Sequence, residues 1–346
     1  MTSRPSIDLS ISPYLQANYA PVLEEHEWDE GDGGVRVEGK IPGNLTGAFM
    51  RNGPNIAWQP DHYVYPADGD GMVHAVYFKG GRVHYRNRWV RTAGFLVEEQ
   101  LGRSCYGSVG KIRMPDEETL AAGGPASPMK NLANTNIVYH GEKLLALWEV
   151  GSAYELKADL STVGEWNYNG ALVPGDGLTA HPKICGRTGE LITCTQRWDA
   201  PYYTLRIMDK NGHQTLSRVV DMPDRAVMHD MQICGDYVVI FYPPAFTNLE
   251  AGMTGGNPFI WHGERPSLTH RRQSHSGRLM FICQNSFSHA CSTMRLSFGQ
   301  STVSYSSYFV PGLRSSQRSA AGLCQEEPPG YSRPPSATNC LKSVLR

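Results

Sequence analysis

The sequence predicts an all-β fold, and three observations support this prediction. Short segments with alternating or β-branched residues recur through the first 260 residues, and Gly-rich or Asn-Gly turns separate them. Helical periodicity is weak outside residues 116–122. The hydrophobic content of 40% is enough to form a buried core. Strands that follow one another at short intervals through tight turns are typical of sandwiches, barrels and propellers.

Eight segments carry the strand pattern, and turn residues such as those at 79–81, 140–142 and 210–212 lie between them. The segments are 72–78, 83–90, 135–139, 144–148, 191–195, 203–208, 215–221 and 237–242. They form about four hairpin groups, each with its own Gly-rich turn. Such groups suit the blades of a β-propeller, in which neighbouring sheets cover each other's faces. Residues of separate blades then meet at one central channel.

We expect three parts, an N-terminal arm at 1–34, a β-propeller portion at 35–266 and a tail at 267–346, of which charge and serine content set the tail apart. The net charge of the whole chain is −1, which gives no indication of nucleic-acid binding. Residues 251–346 contain 10 Lys/Arg against 3 Asp/Glu, and 17 serines against 10 in the first 250 residues. This basic, Ser-rich tail is either disordered or the product of a shifted reading frame, and composition does not separate the two.

Cysteine usage and the N-terminal sequence indicate the compartment. The eight cysteines are scattered and form no Cys-x-x-Cys pair, which favours reduced thiols. No basic stretch followed by an apolar run opens the chain, and no apolar run reaches the length of a membrane span. We therefore expect a cytoplasmic protein without a signal peptide.

Two histidines far apart in the sequence are candidate metal ligands. His181 lies in the run GLTAHPK at 177–183, and His229 lies between Met228 and Asp230. Their separation of 48 positions (229 − 181) excludes a zinc finger, whose ligands come in close pairs. Histidine is the commonest metal ligand, and strands that converge on one axis can bring distant ligands together. Taken alone, each could also be a hydrogen-bonded core or turn residue.

Five motifs in a fixed order strongly resemble those of the carotenoid cleavage oxygenase family. They are MRNGPN at 50–55, DGDGMVH at 68–74, NLANTN at 131–136, LALWE at 145–149 and LTAHPK at 178–183. The family includes carotenoid and apocarotenoid dioxygenases, lignostilbene dioxygenases and retinoid isomerohydrolases. The resemblance covers about residues 35–266, roughly two thirds of the chain.

The resemblance implies a seven-bladed propeller with one non-haem iron(II) ion on its axis, held by four histidines and no carboxylate. His181 matches the first ligand and His229 the second, and Glu149 matches a glutamate that orients a ligand histidine, which we expect to be His229. His289, 60 residues past His229, is the candidate for the third ligand. Three further histidines fit less well: His262, His270 and His275.

No histidine follows position 289, so the fourth ligand is missing and the propeller is expected to be incomplete, with about four blades. Asp68, Asp70 and His74 are expected to serve a Gly-rich turn rather than a metal. Arg51 and Asn52 are expected to anchor backbone near a blade junction. The aromatic residues at 58–65 could line a substrate entrance or pack in the core.

Substrate preference is inferred from positions that the resemblance aligns with the stilbene-cleaving branch. That branch has a lysine directly before the orienting glutamate, where this chain has Trp148. That branch also has a tyrosine shortly after a Phe-Gly pair; the matching stretch here begins at Tyr106, and Val109 occupies the position of the tyrosine. Trp148, Tyr106 and Val109 are therefore expected to present an apolar wall to a polyene. Lys130 is offset by 18 positions (148 − 130), so it does not take the lysine's role.

The resemblance thus implies an iron(II) dioxygenase that splits a C=C bond of a carotenoid or apocarotenoid with O2 and yields two carbonyl products. Two alternatives stay open. One is cleavage of the central double bond of a phenolic stilbene, and the other is a truncated, non-catalytic product that binds lipid or a partner subunit. The expected partners are a hydrophobic small molecule and O2, with peripheral membrane contact and a homodimer both compatible with the family.

Overall fold

A computed structural model describes residues 6–32, 34–109, 111–234, 237–265, 267–273, 279–284 and 308–311, the last three ranges as backbone only. All of them belong to one compact unit, residues 1–316. Strands dominate this unit, and the helices are short. Among the described residues, no helix is long and apolar enough to cross a membrane.

Twenty strands are described. They are β1 Glu27–Asp29, β2 Gly47–Asn55, β3 Asp70–Lys79, β4 Arg82–Trp89, β5 Asn136–His140, β6 Lys143–Leu147, β7 Ala153–Leu156, β8 Thr162–Trp166, β9 Gly177–Leu178, β10 Lys183–Ile184, β11 Leu191–Gln196, β12 Tyr203–Met208, β13 Gln214–Val220, β14 Met231–Cys234, β15 Tyr237–Tyr242, β16 Ala245–Thr247, β17 Phe259–Trp261, β18 Ser267–Gln273, β19 Leu279–Gln284 and β20 Tyr308–Pro311. The α-helices are α1 Ala93–Leu101, α2 Glu117–Ala121 and α3 Leu249–Met253. Three 3-10 turns precede β1, at Leu9–Ile11, Pro13–Leu15 and Ala17–Tyr19.

These strands form four antiparallel sheets of four or five strands each, and one two-stranded sheet. Their orders are β1-β4-β3-β2-β20, β5-β6-β7-β8, β10-β11-β12-β13 with β9 on β11, β14-β15-β18-β19, and β16-β17. Each large sheet contains neighbours that are consecutive in the chain, because tight turns such as the one at Gly80 and Gly81, both at positive φ, return the chain directly. The fold is therefore mostly β, as the sequence predicts.

All eight predicted strand segments and the predicted helix at 116–122 are confirmed as β3–β6, β11–β13, β15 and α2. Helix α1 was missed. Its N-terminus is capped by Thr92, whose side chain accepts from the Phe95 N–H, and its C-terminus ends at Gly102 in the left-handed conformation. Its buried face includes a charged residue, Glu98, so apolar periodicity alone did not mark it.

Adjacent sheets are joined by buried polar side chains as well as by apolar packing. Asn52 on β2 donates from Nδ2 to the carbonyl oxygens of Ala133 (2.7 Å) and Asn136 (3.0 Å), so it ties the first sheet to β5. This agrees with the anchoring role expected for Asn52. Separate apolar clusters then fill the space between neighbouring sheets. The loops that carry the candidate site lie at the ends of β6, β9 and β14.

Candidate metal centre

His181 lies in the short connection between β9 and β10, and its backbone is held from two sides. Asn136 on β5 donates from Nδ2 to the Ala180 carbonyl at 2.8 Å, and the His181 N–H donates to Thr179 Oγ1 at 3.3 Å. Ala180 and Thr179 are fully buried. These buried neighbours fix the backbone around His181 and thereby limit the orientations that its imidazole can adopt.

The Nε2 atom of His181 is buried and has no hydrogen-bond partner among the described residues. Buried polar atoms are almost always satisfied, so this unpaired nitrogen is available to coordinate a ligand. Burial, with a smaller contribution from His229, lowers the pKa of His181 below its ordinary value. The imidazole is therefore neutral near pH 7, which is the form that binds a metal.

His229 lies directly before β14, in a loop held by the neighbouring sheet. Gln196 on β11 donates from Nε2 to the Met228 carbonyl at 3.1 Å. The Lys183 ammonium pairs with Asp230 at 2.8 Å, which links the segment after His181 to the segment after His229. The His229 side chain is 63% exposed, whereas His181 is half-buried.

Glu149 follows β6 by two residues and connects the two histidines. Its Oε1 atom lies 2.5 Å from His229 Nδ1, and this interaction raises the pKa of His229 above its ordinary value. The rings of His181 and His229 lie 4.7 Å apart between centroids, at an interplanar angle of 65°. One donor atom from each of the three residues lies within 4.8 Å of the other two, so the group could hold a metal ion. No other such group occurs in the described part of the chain.

A cavity of about 550 Å³ opens beside these three residues. Trp148, Val109, Tyr65 and Met129 supply much of its wall, and Glu149, His181 and His229 lie in it as well. A second cavity of about 150 Å³ shares Tyr65, Val109, Met129, Trp148 and Glu149 with the first. The two together form a mostly apolar space with a few convergent polar groups, as is usual for small-molecule sites.

Charged residues also reach the larger cavity. The Lys130 ammonium is buried between the Asp70 carboxylate, at 2.6 Å, and the Glu98 carboxylate. Asp68 accepts from the Val109 N–H at 2.7 Å, and burial raises the pKa of its carboxyl to about 6. Asp68 and Asp70 therefore have partners within the fold, which agrees with their expected structural role.

Several predicted residues lie elsewhere. Tyr106 is not among the residues that line either cavity. Its hydroxyl donates to the Pro125 carbonyl at 3.4 Å, and its ring packs against Gly94 and Gly124. His74 contacts the Tyr85 hydroxyl at 2.7 Å, and His262 contacts Glu264 at 2.9 Å.

Two of the remaining histidines lie outside the described residues, and of a third only the backbone is described. His289 and His275 are the first two, and His270 lies on β18. Of the aromatic group at 58–65, Tyr65 lines both cavities, while Trp58 and Tyr63 are buried in the core.

Arg225 is a cavity residue that sequence reasoning missed. It lines the smaller cavity together with Trp198 and Phe259. No motif surrounds it, and it lies in a loop whose place in the fold depends on β16 and on the turn after β11. Only the assembled sheets bring it to the cavity, so no local signal could have found it.

Comparison with known proteins gives a consistent picture. The family model described as RPE65, retinal pigment epithelial membrane protein, matches residues 19–287. A carotenoid 9,10(9',10')-cleavage dioxygenase 1 of Pisum sativum is 33% identical over 246 residues, covering 67% of this chain and 44% of the relative. An apocarotenoid-15,15'-oxygenase of Synechocystis is 34% identical over 255 residues, covering 69% of this chain and 49% of the relative.

Among solved structures, a lignostilbene dioxygenase of Pseudomonas brassicacearum matches with a TM-score of 0.70 and 26% identity. The match covers 80% of this chain and 57% of that structure. The chain thus spans about half the length of the curated relatives it matches.

Proposed function

The chain belongs to the carotenoid cleavage oxygenase family, the family of RPE65, and we propose that it is an iron(II)-dependent dioxygenase that splits one C=C bond of a carotenoid or apocarotenoid with O2. The observation that carries the proposal is the orphaned, buried Nε2 of His181, close to Glu149 and His229 at the wall of an apolar cavity. The reaction would give two carbonyl products.

The residues present fit an iron(II) ion. His181 offers a free nitrogen on a neutral ring, and His229 has its Nδ1 against Glu149, which leaves Nε2 for the metal. Imidazole nitrogens suit iron(II), and the donor set leaves room for O2 and substrate. His181 and His229 would hold the ion, and His289 is proposed as a third ligand. When bound, the iron supplies the activation of O2 that no side chain can provide.

Glu149 is proposed to orient His229 rather than to bind the metal. A carboxylate that accepts the Nδ1–H of a histidine fixes its tautomer and ring orientation. The 2.5 Å contact between Glu149 Oε1 and His229 Nδ1 supports this role. Because the His229 side chain is mostly exposed, its orientation depends on this contact, whereas the orientation of His181 depends on burial.

The cavity walls are proposed to hold the substrate and exclude water from it. Trp148 and Val109 line the larger cavity, at the positions that the resemblance aligns with a lysine and a tyrosine of the stilbene-cleaving branch. A bound polyene would lie along this wall, with one double bond beside the histidines. Holding the alkene next to the reacting centre lowers the entropic cost of the reaction.

Cleavage of a phenolic stilbene is the second candidate, because the solved lignostilbene dioxygenase shares this fold. Parallel assays with an apocarotenal and a hydroxystilbene decide between the two substrates. Turnover of the stilbene alone would overturn the preference for a polyene. A non-catalytic product is the third candidate. An iron titration tests it, and tight binding of one equivalent of iron would argue against it.

The decisive variant is His181→Ala, with His213→Ala as its control. His213 has an exposed side chain whose ion pair in the described part of the chain is with Asp209, so its loss should change neither metal binding nor turnover. Loss of a direct ligand should reduce metal affinity by more than the roughly 100-fold seen for outer partners of ligands. Metal affinity is measured by titration, and product aldehydes by chromatography. Unchanged iron affinity in His181→Ala would defeat the proposal.

The location and assembly of the protein stay predictions. A cytoplasmic location, peripheral membrane contact and a homodimer are all compatible with the family, and fractionation and sedimentation experiments test them. The seven-bladed propeller of the complete protein is proposed on the same grounds. The four large sheets described above are compatible with consecutive blades.

A further inference from the structure

Arg225 differs from the arginines around it because no carboxylate pairs with it in the described part of the chain. Arg197 and Arg206 both pair with Asp176, at 3.1 and 2.8 Å. The carboxylate next to Arg225 in sequence, Asp224, pairs with Arg265 instead, at 2.8 Å. The guanidinium of Arg225 therefore has no ion-pair partner of the kind its neighbours have, and Glu149, which lines the same cavity, acts on it electrostatically without pairing with it.

The contacts of Arg225 hold it in place but leave donors free. Its Nε donates to the Arg197 carbonyl at 3.0 Å, and its Nη1 donates to Thr247 Oγ1 at 2.8 Å. Its Cζ lies 3.7 Å from the centroid of the Trp198 ring. A guanidinium has five N–H donors. The remaining three find no acceptor among the residues that the structure describes.

Arg225 lies at a cavity wall, where its free N–H donors can contact a bound ligand. It lines the smaller cavity, which shares Tyr65, Trp148 and Glu149 with the larger one. Burial lowers the pKa of Arg225 below its ordinary value, yet a guanidinium stays charged at any physiological pH. A half-buried cation beside an apolar space is costly unless an anion joins it.

We propose that Arg225 is the anchor of a subsite for an anionic oxygen group at one end of the substrate, namely the carboxylate of a polyene acid. The polyene lies in the larger cavity beside the histidines, and its carboxylate lies in the smaller cavity against Arg225. This inference rests on the proposed function for the nature of the polyene, and on the unpaired guanidinium for the carboxylate. The Trp198 ring under Arg225 keeps the guanidinium plane fixed, which favours recognition of a planar carboxylate.

Binding experiments without added metal or O2 test the subsite separately from catalysis. The probes are all-trans-retinoic acid, retinal and retinol, three polyenes that differ only at one end. Quenching of tryptophan fluorescence reports binding, because Trp148 and Trp198 line the cavities. At neutral pH the wild-type protein should bind the acid about tenfold more tightly than the alcohol, the difference expected for one charge-assisted contact. Absence of metal prevents the carboxylate from binding to iron instead.

Arg225→Gln should abolish the preference for the acid while the affinity for retinol changes less than about twofold. Arg265→Gln is the matched control, since it removes a nearby arginine whose charge Asp224 already balances, and it should keep the preference. A merely structural role of Arg225 predicts equal losses for all three probes. An unchanged ratio of affinities in Arg225→Gln would overturn the subsite.

The wild-type measurement decides the question even if Arg225→Gln does not fold. Equal affinities of the wild-type protein for acid and alcohol contradict the proposal. Arg225→Lys keeps the charge and should keep part of the preference. A preference for the acid without cleavage activity supports the subsite and defeats only the proposed dioxygenase. Cleavage without any preference for the acid does the reverse.

Discussion

Two groups of ionisable side chains reach the same cavity, one through Lys130 and the other through Glu149, His181 and His229, and they differ in how their charges are paired. In the first, Lys130 is buried between the carboxylates of Asp70 and Glu98, and Glu98 also accepts from the Cys105 N–H at 2.9 Å. In the second, Glu149 contacts His229, but the buried Nε2 of His181 has no partner among the described residues.

The difference teaches how to tell structural charges from functional ones. The Lys130 group joins α1, the start of β3 and the loop before β5, and every charge in it has an opposite charge beside it. Such a group holds the fold together at a buried position. The histidine group has its backbone fixed by Asn136 and Gln196, and one donor atom from each of its three residues lies within 4.8 Å of the others, an arrangement that could hold a metal ion.

Removing Lys130 should give the largest effect and should act on stability. Lys130→Met leaves two buried carboxylates without a counter-charge, so we expect the free energy of unfolding to fall by about 3–5 kcal/mol. Denaturant titration measures the change. Lys143→Met is the control: its pair with Glu155 is partly exposed, and its loss should cost at most about 1 kcal/mol. Similar losses in the two variants would contradict the distinction between the two groups.

Removing the charge of Glu149 should act on metal binding and leave stability nearly unchanged. Glu149→Gln weakens the contact that orients His229, so we expect metal affinity to fall by about 10–100-fold. Calorimetric titration with iron(II) under anaerobic conditions measures the affinity. Glu155→Gln, whose carboxylate pairs with Lys143 away from the histidines, serves as the control. A large loss of stability in Glu149→Gln, with metal affinity retained, would place Glu149 with the structural group.

Asp68 should give the smallest effect, and its sign follows from its pKa. Burial raises the pKa of the Asp68 carboxyl in the folded protein from 3.8 to about 6, so folding favours the protonated form of this carboxyl. The stability that Asp68 contributes is therefore full below pH 3.8 and is lost as the pH rises through about 6. Between these values the wild type should lose about 1–3 kcal/mol relative to Asp68→Asn.

The control for this pH dependence is Asp159→Asn, where the opposite sign is expected. Hydrogen bonds from the Ser161 hydroxyl and N–H hold the pKa of the exposed Asp159 carboxyl below its ordinary value. Its contribution is therefore present above the unfolded pKa and lost as the pH falls. Thermal unfolding followed over this pH range measures both variants. Parallel curves for wild type and Asp68→Asn would show that Asp68 is not buried as described.

The strands were predictable because each depends on a short local pattern. Segments such as 203–208 and 237–242 alternate apolar and polar or β-branched residues, and a turn signal bounds them. Edge strands such as β1 and β16 have three residues each and no pattern long enough to detect. Helix α1 was missed because its buried face includes Glu98, whose partner Lys130 lies 32 positions away.

The candidate site was predictable only in part. His181, His229 and Glu149 were found through motifs, and Val109 and Trp148, placed by the same resemblance, line the cavity. Tyr106, placed in the same way, does not line either cavity; its side chain is buried and its hydroxyl donates to the Pro125 carbonyl. Arg225 carries no motif, and its unpaired charge is visible only once the positions of Asp224 and Arg265 are known.

By itself the sequence determined the β character and the positions of eight strands, because these depend on side-chain type and local period, and its resemblance to a family marked His181, His229 and Glu149 as candidates. Tertiary structure alone decided that Glu149 meets His229 across 80 positions (229 − 149), that His181 Nε2 stays unpaired and that Arg225 reaches the cavity. Those facts are distances between separate sheets. They arise from how the sheets pack, and no local pattern of residues encodes such a distance.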